Sequence, residues 1–341
     1  MFKFAAAMVA MLAALALTTP AAQAQVVLNT NLWLPMNHPL SGGVMMPLCE
    51  DIRTVTSGRV RCNVLPKPVV SPTRTFDAVR NGVVDLAYIA DGYTPGRFQL
   101  SKVAELPFLG NTAEGISVAY QRTYQRYFAQ ANEHKGVKVL AVLTHGPGQL
   151  YTRRPIHSLD DLRGLKIRTG GGMVNDVFKS IGATGMFKAA PEVYELMAGG
   201  IIDGFVFPKE TVHSLKLIPL FKYCTSFPGG LYNVSLSFVM NEAKWRSIPK
   251  PDQAALESLF GEALARRSGK VWDAADKVGE AEMRRAGIRI EVPSPQFVSE
   301  VSRRVRHLDE DWIAAARARG VDGAAALKDF REAIASIEAG R

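Results

Sequence analysis

Between Asp160 and Arg168 the chain reads Asp-Asp-Leu-Arg-Gly-Leu-Lys-Ile-Arg. This order predicts a one-turn helix that stops at Gly164 and a short apolar strand that ends in a guanidinium. Thr169 and three glycines, residues 170–172, follow, so little side-chain bulk surrounds the strand end. A guanidinium in such a place can hold a carboxylate through two parallel hydrogen bonds. We predict that Arg168 is a carboxylate clamp; the alternative is a surface arginine that closes a strand.

Strands and helices alternate on both sides of this stretch, which indicates an α/β fold. Two successive α/β series, joined by a long strand and a long helix, favour two lobes with a ligand cleft between them. Strands are predicted at residues 26–33, 60–65, 83–90, 137–143, 201–207 and 231–240. Helices are predicted at residues 41–57, 71–79, 112–133, 172–181, 191–198 and 250–285, with two more in 295–338.

The predicted helix over residues 250–285 would be about 54 Å long at ~1.5 Å per residue. That length exceeds the diameter of one domain, so we expect this helix to span both lobes. Gly261 and Gly269 could permit bends.

The N-terminus resembles an export signal. Lys3 precedes an apolar run over residues 4–17, and Ala22-Gln23-Ala24 fits a small-x-small cleavage site. We predict a signal peptide over residues 1–24 and an exported mature protein that starts at Gln25. An uncleaved membrane anchor is the alternative.

Composition favours a globular protein, because 47% of the 341 residues are hydrophobic and 21% are charged. The formal net charge of +9 is scattered, and no basic run alternates with aromatic residues. Nucleic acid is therefore not expected as a partner, whereas a positive field modestly favours anionic ligands.

The three cysteines are Cys49, Cys62 and Cys224, and none forms a CxxC pair, so a structural zinc site is not expected. Cys49 and Cys62 fall on a helix and the following strand and could form a disulfide in an oxidising compartment. We favour two separate buried thiols instead.

Enzyme motifs are missing from the sequence. It has no GxSxG, HExxH or Walker lysine pattern, and its six histidines include no pair at i, i+4. We predict no catalytic residues, no metal and no cofactor. Residues 170–172 before a helix leave a phosphate site as a minor alternative.

Several blocks, in order and in register, resemble the DctP-type solute-binding proteins of TRAP (tripartite ATP-independent periplasmic) transporters. The most specific block is residues 158–168. The others are residues 33–39 (Trp-Leu-Pro-Met-Asn-His-Pro), 56–60, 76–85, 98–108, 182–184, 192–194, 200–204 and 240–249.

This resemblance implies a two-lobed periplasmic binding protein fold of type II-like architecture. We assign residues 25–145 plus 234–273 to one lobe and residues 146–233 plus 274–341 to the other. The resemblance implies a monomer that delivers a small organic acid to a membrane transporter. This transporter consists of a small and a large membrane subunit and is driven by an ion gradient. It also implies that the arginine at the position of Arg168 binds the ligand carboxylate.

Departures from the family pattern indicate the ligand class. A second arginine found in some members is absent near residues 146–148, and Phe205-Val206-Phe207-Pro208 replaces a polar stretch. Gly185-Met186-Phe187-Lys188 replaces a Pro-Val-Pro-Met stretch. We infer an apolar or aromatic monocarboxylate, such as an aryl 2-oxo or 2-hydroxy acid or a branched-chain oxo acid.

The candidate ligand-binding residues besides Arg168 lie on loops after strands or where the chain recrosses between lobes. They are Trp33, Asn37, Tyr93, Phe187, Phe207, Tyr232 and Asn233. Flat rings would gain from burial against Phe207, Phe187 or Trp33, about 25 cal/mol per Å². The alternative is that these phenylalanines belong to the core.

Two other functions remain open from the sequence. The chain could be the ligand-binding component of a chemosensory or signalling system. Less favoured is an exported enzyme that acts on carboxylates, because no convincing nucleophile or acid–base pair is found.

Overall fold

The computed structural model describes residues 25–340, and the predicted signal peptide lies outside them. Two separate β-sheets, each flanked by helices, form a two-lobed α/β molecule. The predicted fold class is thereby confirmed.

The first sheet has five strands in the order β2-β1-β3-β10-β4. Strands β1, β2 and β3 are mutually parallel where they pair, whereas β10 runs antiparallel to both β3 and β4. Every residue of β3 and β10 is buried, as expected for inner strands covered on both faces. The bounds are β1 Val26–Asn31, β2 Val60–Val64, β3 Leu86–Ala90, β4 Val137–Thr144 and β10 Ser235–Asn241.

The second sheet has six strands in the order β11-β9-β5-β8-β6-β7. Strands β6, β7 and β8 are parallel where they pair, and β5 is antiparallel to β8 and β9. The bounds are β5 Gln149–Thr152, β6 Lys166–Thr169, β7 Thr184–Phe187, β8 Gly204–Phe207, β9 Tyr223–Thr225 and β11 Arg289–Glu291.

Helices cover the faces and edges of both sheets. In chain order they are α1 Met46–Val55, α2 Thr75–Arg80, α3 Ala113–Thr123, α4 Leu159–Leu162, α5 Met173–Ser180, α6 Val193–Ala198, α7 Lys209–Ser214, α8 Glu242–Ser247, α9 Lys250–Glu257, α10 Glu262–Arg285, α11 Pro295–Val305, α12 His307–Arg317 and α13 Gly323–Glu338. A π-helical turn, Pro39–Met45, leads into α1, and another, Tyr124–Phe128, extends α3.

The chain passes between the sheets three times: from β4 to β5, from β9 to β10, and from β10 to β11. The last passage includes α10, which contacts α3 beside the first sheet and α7 beside the second. Multiple crossings of this kind are typical of hinged binding proteins.

The predicted helix over residues 250–285 is wrong in one respect, because it is two helices. The chain turns between α9 and α10, where Gly261 has a φ of +61° and its N–H donates to the carbonyl of Leu140 on β4 at 2.7 Å. This φ lies in the region that favours glycine, and a tertiary hydrogen bond holds the break. The C-terminal stretch likewise forms three helices rather than two.

Cys49 and Cys62 form a disulfide between α1 and β2, with 5.5 Å between their Cα atoms. The expectation of two separate thiols is therefore wrong. The strand packs against the helix that precedes it, which brings the two Cβ atoms within bonding range. Cys224 is a buried free thiol, and burial raises its pKa to about 12.

The proposed division into lobes remains a prediction. Contacts of the C-terminal helices are spread over both sides of the molecule: α11 contacts α5, whereas α13 contacts α3. The Nε1–H of Trp312 on α12 also donates to the carbonyls of Gln99 and Leu100, at 3.2 Å each.

Candidate functional site

A cavity of about 50 Å³ lies between the sheets, beside strand ends of both. Its walls combine residues that follow β1 and β3, residues of the second sheet, residues at the chain crossings and one residue of α10. The lining residues are Trp33, Leu34, His38, Leu40, Ala90, Tyr93, His145, Arg168, Gly170, Ala190, Phe207, Pro208, Thr211, Tyr232, Val234, Leu236 and Trp272.

Arg168 lies on β6 and is only 1% exposed. Its Nε–H donates to the carbonyl of Lys188 at 2.8 Å, and one terminal nitrogen lies 3.4 Å from the carbonyl of Val206. The other terminal nitrogen donates to the hydroxyl oxygen of Tyr93 at 3.3 Å. Since a guanidinium carries five N–H groups, each terminal nitrogen keeps one further N–H for another acceptor.

The Arg168 guanidinium has no counter-ion within the part of the chain that the structure describes. Among residues 25–340, no ion pair within 4.0 Å joins Arg168 to an aspartate or glutamate, although surface pairs are numerous. A buried, permanently charged group without a carboxylate partner is costly. The site is therefore electrostatically incomplete and suited to an anion.

Phe207 on β8 supports the guanidinium from one side. The Arg168 Cζ atom lies 4.4 Å from the centre of the Phe207 ring, within the range of a cation–π contact. Strand alternation places Phe205 on the same face of β8, but Phe205 packs against Tyr151 and Phe221 and does not line the cavity.

Tyr93 connects the guanidinium to the first sheet. Its hydroxyl oxygen accepts from Arg168 and from the N–H of Ala190 at 2.9 Å, so its own proton is left to be donated elsewhere. The ring lies 5.7 Å from the rings of both Trp33 and Phe187. The Trp33 indole N–H donates to the carbonyl of Tyr88 at 3.1 Å, which fixes that ring in the cavity wall.

The structure thus brings five of the eight predicted residues to one cavity: Trp33, Tyr93, Arg168, Phe207 and Tyr232. Tyr232 is buried, and burial raises the pKa of its hydroxyl well above the ordinary value. Its ring meets the imidazole of His145 edge to face, with 5.3 Å between centroids.

The other three predicted residues lie outside the cavity wall. Asn37 is exposed, and its amide donates to the carbonyl of Ser214 at 3.2 Å. Phe187 is half-buried behind Tyr93. Asn233 is buried. With its amide oriented so that the nitrogen faces the two acceptors, it donates to the carbonyls of His145 and Gly146 at 3.2 Å each.

Among the cavity residues that were not predicted from the sequence, three carry an imidazole or indole side chain: His38, His145 and Trp272. His38 accepts from the N–H of Leu40 through Nδ1 at 3.2 Å, and its Nε2 lies 3.1 Å from a carboxylate oxygen of Glu210. Burial opposes ionisation of Glu210, but the His38 imidazole and the Thr211 hydroxyl outweigh it and hold the pKa of this carboxyl below its usual value.

A larger surface groove of about 730 Å³ runs beside α10. Two of its part-buried acids serve the fold: Asp273 accepts from the N–H groups of Ala113 and Glu114, and Asp276 accepts from that of Glu210. We place the candidate site at the smaller cavity, because that cavity contains a buried cation with unused N–H groups.

Within residues 25–340, no set of three His, Cys, Asp or Glu side chains is arranged to bind a metal ion. Over the same range, no helix combines the length and apolar character that a membrane span needs.

Residues 31–313 match the family model DctP, described as bacterial extracellular solute-binding protein, family 7. Among curated proteins, the chain is 34% identical over 329 residues to the outer membrane transporter protein TsaT of Comamonas testosteroni, covering 96% of each chain.

Solved structures agree with the family match. A TRAP periplasmic solute-binding protein of Bordetella bronchiseptica, with bound (R)- and (S)-mandelate, has a TM-score of 0.90 and 41% identity over 92% of this chain and 99% of its own. A marine metagenome TRAP solute-binding protein specific for aromatic acid ligands, in complex with 3-hydroxybenzoate, has a TM-score of 0.85 and 32% identity over 92% and 98%. The chain therefore belongs to the DctP family of TRAP solute-binding proteins, as its central sequence block indicates.

Proposed function

We propose that this protein captures a small aromatic monocarboxylate between its lobes and delivers it to TRAP transporter membrane subunits. The proposal depends on the surroundings of Arg168. This residue is 1% exposed, its guanidinium is held by three hydrogen bonds, and it has no acidic partner among the described residues. The N–H groups left on its two terminal nitrogens match the two oxygens of one carboxylate.

A single carboxylate is favoured by the charge of the cavity. Arg168 is the one lysine or arginine among the described lining residues, and the side chain of His38 is already engaged by Glu210. A second carboxylate on the ligand would enter the low-dielectric interior without a cation to receive it. Dicarboxylates are therefore expected to bind more weakly than monocarboxylates.

An aromatic ligand is favoured by the walls, which present the rings of Trp33, Tyr93, Phe207, Tyr232 and Trp272. Offset or edge-to-face contacts between rings add about 0.5–1.5 kcal/mol beyond the burial of area. The mandelate of the Bordetella protein and the aromatic acids of the metagenomic protein supply an independent reason to expect this class here.

We further propose that the protein works as a periplasmic monomer after removal of residues 1–24. Membership of the DctP family supports a partnership with a small and a large membrane subunit. N-terminal sequencing of the exported protein should find Gln25, and light scattering on the purified protein should give the mass of one chain.

A thermal-shift screen tests the ligand class. A ligand bound to the folded state alone raises stability by about 2.7 kcal/mol at one hundred times Kd. Mandelate, benzoylformate and phenylacetate should raise the melting temperature, whereas succinate and glucuronate should not. Tight binding of the sugar acid without binding of any aryl acid would contradict the proposal.

The exported-enzyme alternative is tested on the same complexes. We expect each bound acid to be recovered unchanged, as mass spectrometry of the protein after prolonged incubation would show. Release of a chemically altered product would favour the enzyme.

A further inference from the structure

Among residues 25–340, two buried polar atoms of cavity residues have no hydrogen-bond partner: Nε2 of His145 and Nε1 of Trp272. Both side chains line the same cavity as Arg168, and they are 5% and 2% exposed, respectively. Buried polar atoms are almost always satisfied in folded proteins, so an unsatisfied acceptor and an unsatisfied donor in one small cavity require an explanation.

The hydrogen bonds of His145 define which of its nitrogens carries a proton. Nδ1 contacts the carbonyl oxygen of Gly146, which can only accept, so Nδ1 carries the hydrogen. Burial lowers the pKa of the imidazole to about 4, and the charge of Arg168 acts in the same direction. The ring is therefore neutral near pH 7, and Nε2 is a bare acceptor.

Trp272 supplies a hydrogen-bond donor, which complements the acceptor of His145. An indole Nε1–H can only donate. The ring lies 5.9 Å, centre to centre, from the imidazole of His145 and meets His38 edge to face at 5.6 Å. Because α10 carries Trp272 and packs against helices of both lobes, the indole is fixed at the junction where a ligand would be enclosed.

We propose that His145 and Trp272 form a hydroxyl subsite, in which a ligand hydroxyl donates to Nε2 of His145 and accepts from Nε1–H of Trp272. This inference rests on the proposed function and narrows its ligand class to aryl 2-hydroxy acids. A hydroxyl donates and accepts at once, so it satisfies both atoms.

The hydroxyl belongs on the carbon next to the carboxylate. Arg168 and His145 line the same cavity of about 50 Å³, so a small ligand held there borders both side chains. A carboxylate clamped by Arg168 therefore places its neighbouring carbon near His145. A 2-oxo group would satisfy Trp272 but turn a lone pair toward Nε2, and an unsubstituted methylene would leave both atoms unsatisfied.

Isothermal titration of three acids with one skeleton provides the test: the better-bound enantiomer of mandelate, benzoylformate and phenylacetate. For the wild-type protein we expect mandelate to bind roughly tenfold or more tightly than either of the others, because a site built for a hydroxyl is penalised when its polar atoms stay unpaired. If benzoylformate or phenylacetate binds as tightly as mandelate, the subsite is refuted while the proposed function stands. If none of the three binds, the proposed function itself fails.

Two variants test whether Nε2 of His145 and Nε1 of Trp272 cause the tighter binding of mandelate. In His145→Phe, mandelate should lose its advantage over benzoylformate, because the acceptor that favours the hydroxyl is gone. In Trp272→Phe, binding of mandelate and benzoylformate should both weaken, while binding of phenylacetate, which carries no oxygen on the carbon next to its carboxylate, should change little. Equal weakening of all three acids in both variants would indicate a merely structural role and overturn the subsite.

His157→Phe is the matched control, because this histidine is exposed and pairs with Glu291 outside the cavity. The three dissociation constants should keep their wild-type ratios in this variant. Should His145→Phe fail to fold, the Trp272→Phe titrations and the wild-type ranking decide the matter alone.

Discussion

Arg168 is oriented before any ligand arrives, because carbonyls of two segments and the hydroxyl of Tyr93 hold its guanidinium. Lost side-chain freedom is a large part of the cost of binding, and a fixed guanidinium does not incur it at that moment. The ring of Phe207 on one side restricts the guanidinium further. The ligand carboxylate therefore meets donors already in place.

Arg168→Lys should weaken binding of an aryl acid by about 2–5 kcal/mol, because one ammonium cannot present two parallel N–H groups while retaining the bonds to Lys188 and Tyr93. Calorimetric titration of the wild-type protein and the variant measures this difference. Arg163→Lys, five residues earlier and exposed on the surface, is the matched control and should bind as the wild type does. An unchanged dissociation constant for Arg168→Lys would reject the clamp.

A single site residue can be predicted from the sequence when its role depends on its position in one strand or helix. Arg168 could be predicted because a strand end and a glycine run are local features. His145 and Trp272 could not be predicted, because each matters through a buried nitrogen without a partner and through a place in the cavity wall, and separate elements create that cavity. Asn37 follows β1 as Trp33 does, but its amide is engaged by Ser214.

The N-terminus of α5 meets a buried carboxylate, Glu105, that also bonds to β10 of the first sheet. Glu105 accepts from the N–H of Met173 at 2.8 Å and from the hydroxyl of Ser235 at 2.6 Å. Burial raises the pKa of Glu105 to about 7, although these bonds oppose the rise, and the nearby charge of Asp91 adds to it.

This raised pKa predicts how stability depends on pH. Between its ordinary value of 4.5 and about 7, the folded state keeps a proton that the unfolded state has lost, so stability falls as pH rises through this window and then levels off. The contribution of Glu105 is on the order of 3 kcal/mol. Urea unfolding at pH 5 and pH 7.5 should show a smaller pH effect in Glu105→Gln than in the wild type. Equal pH effects in the two proteins would contradict this assignment.

The disulfide ties α1 to β2 over a sequence separation of 13 residues. Closing a loop of this size restricts the unfolded chain and stabilises the fold by about 2–4 kcal/mol. Replacing both Cys49 and Cys62 by alanine should lower the free energy of unfolding by that amount. A reducing agent should bring the wild type close to the variant; no response to either change would show that the bond is absent in solution.

Element predictions succeeded where hydrophobic patterns were long and failed where tertiary contacts decide. Strands β1, β3 and β4 were predicted from their apolar runs. Strands β9 and β11 are three residues each and leave almost no pattern to detect. The break before α10 depends on a hydrogen bond between Gly261 and Leu140, and the pairing of Cys49 with Cys62 depends on packing; neither is encoded in local periodicity.

We predict that the molecule closes on its ligand, and the close approach of Gly172 to Glu105 provides a place to test this. Gly172, at the start of α5, has a φ of +68°, and a Cβ placed there would lie 2.2 Å from the Glu105 carboxylate. Gly172→Ala should therefore hinder closure and weaken binding. Gly164→Ala is the matched control, because its φ of +74° is also positive while no atom lies within 4 Å of the added Cβ.

Small-angle scattering measures closure directly. The radius of gyration of the wild type and of Gly164→Ala should fall when mandelate is added, whereas Gly172→Ala should respond less at the same concentration. Identical responses of the two variants would show that closure does not bring Gly172 against Glu105.

The two-lobed architecture was predictable from alternating elements and from the order of family-like blocks. The shape of the site was not, because one cavity combines residues between Trp33 and Trp272. Sequence spacing cannot predict that positions so far apart meet. They come together because the chain crosses between the two sheets three times.

A crystal structure of the complex with mandelate tests the central claim most directly. We predict one carboxylate oxygen about 2.7–2.9 Å from each terminal nitrogen of Arg168, with the aromatic ring against Trp33 or Phe207. A ligand whose carboxylate lies away from Arg168, or a guanidinium paired with a protein carboxylate in that structure, would contradict the account.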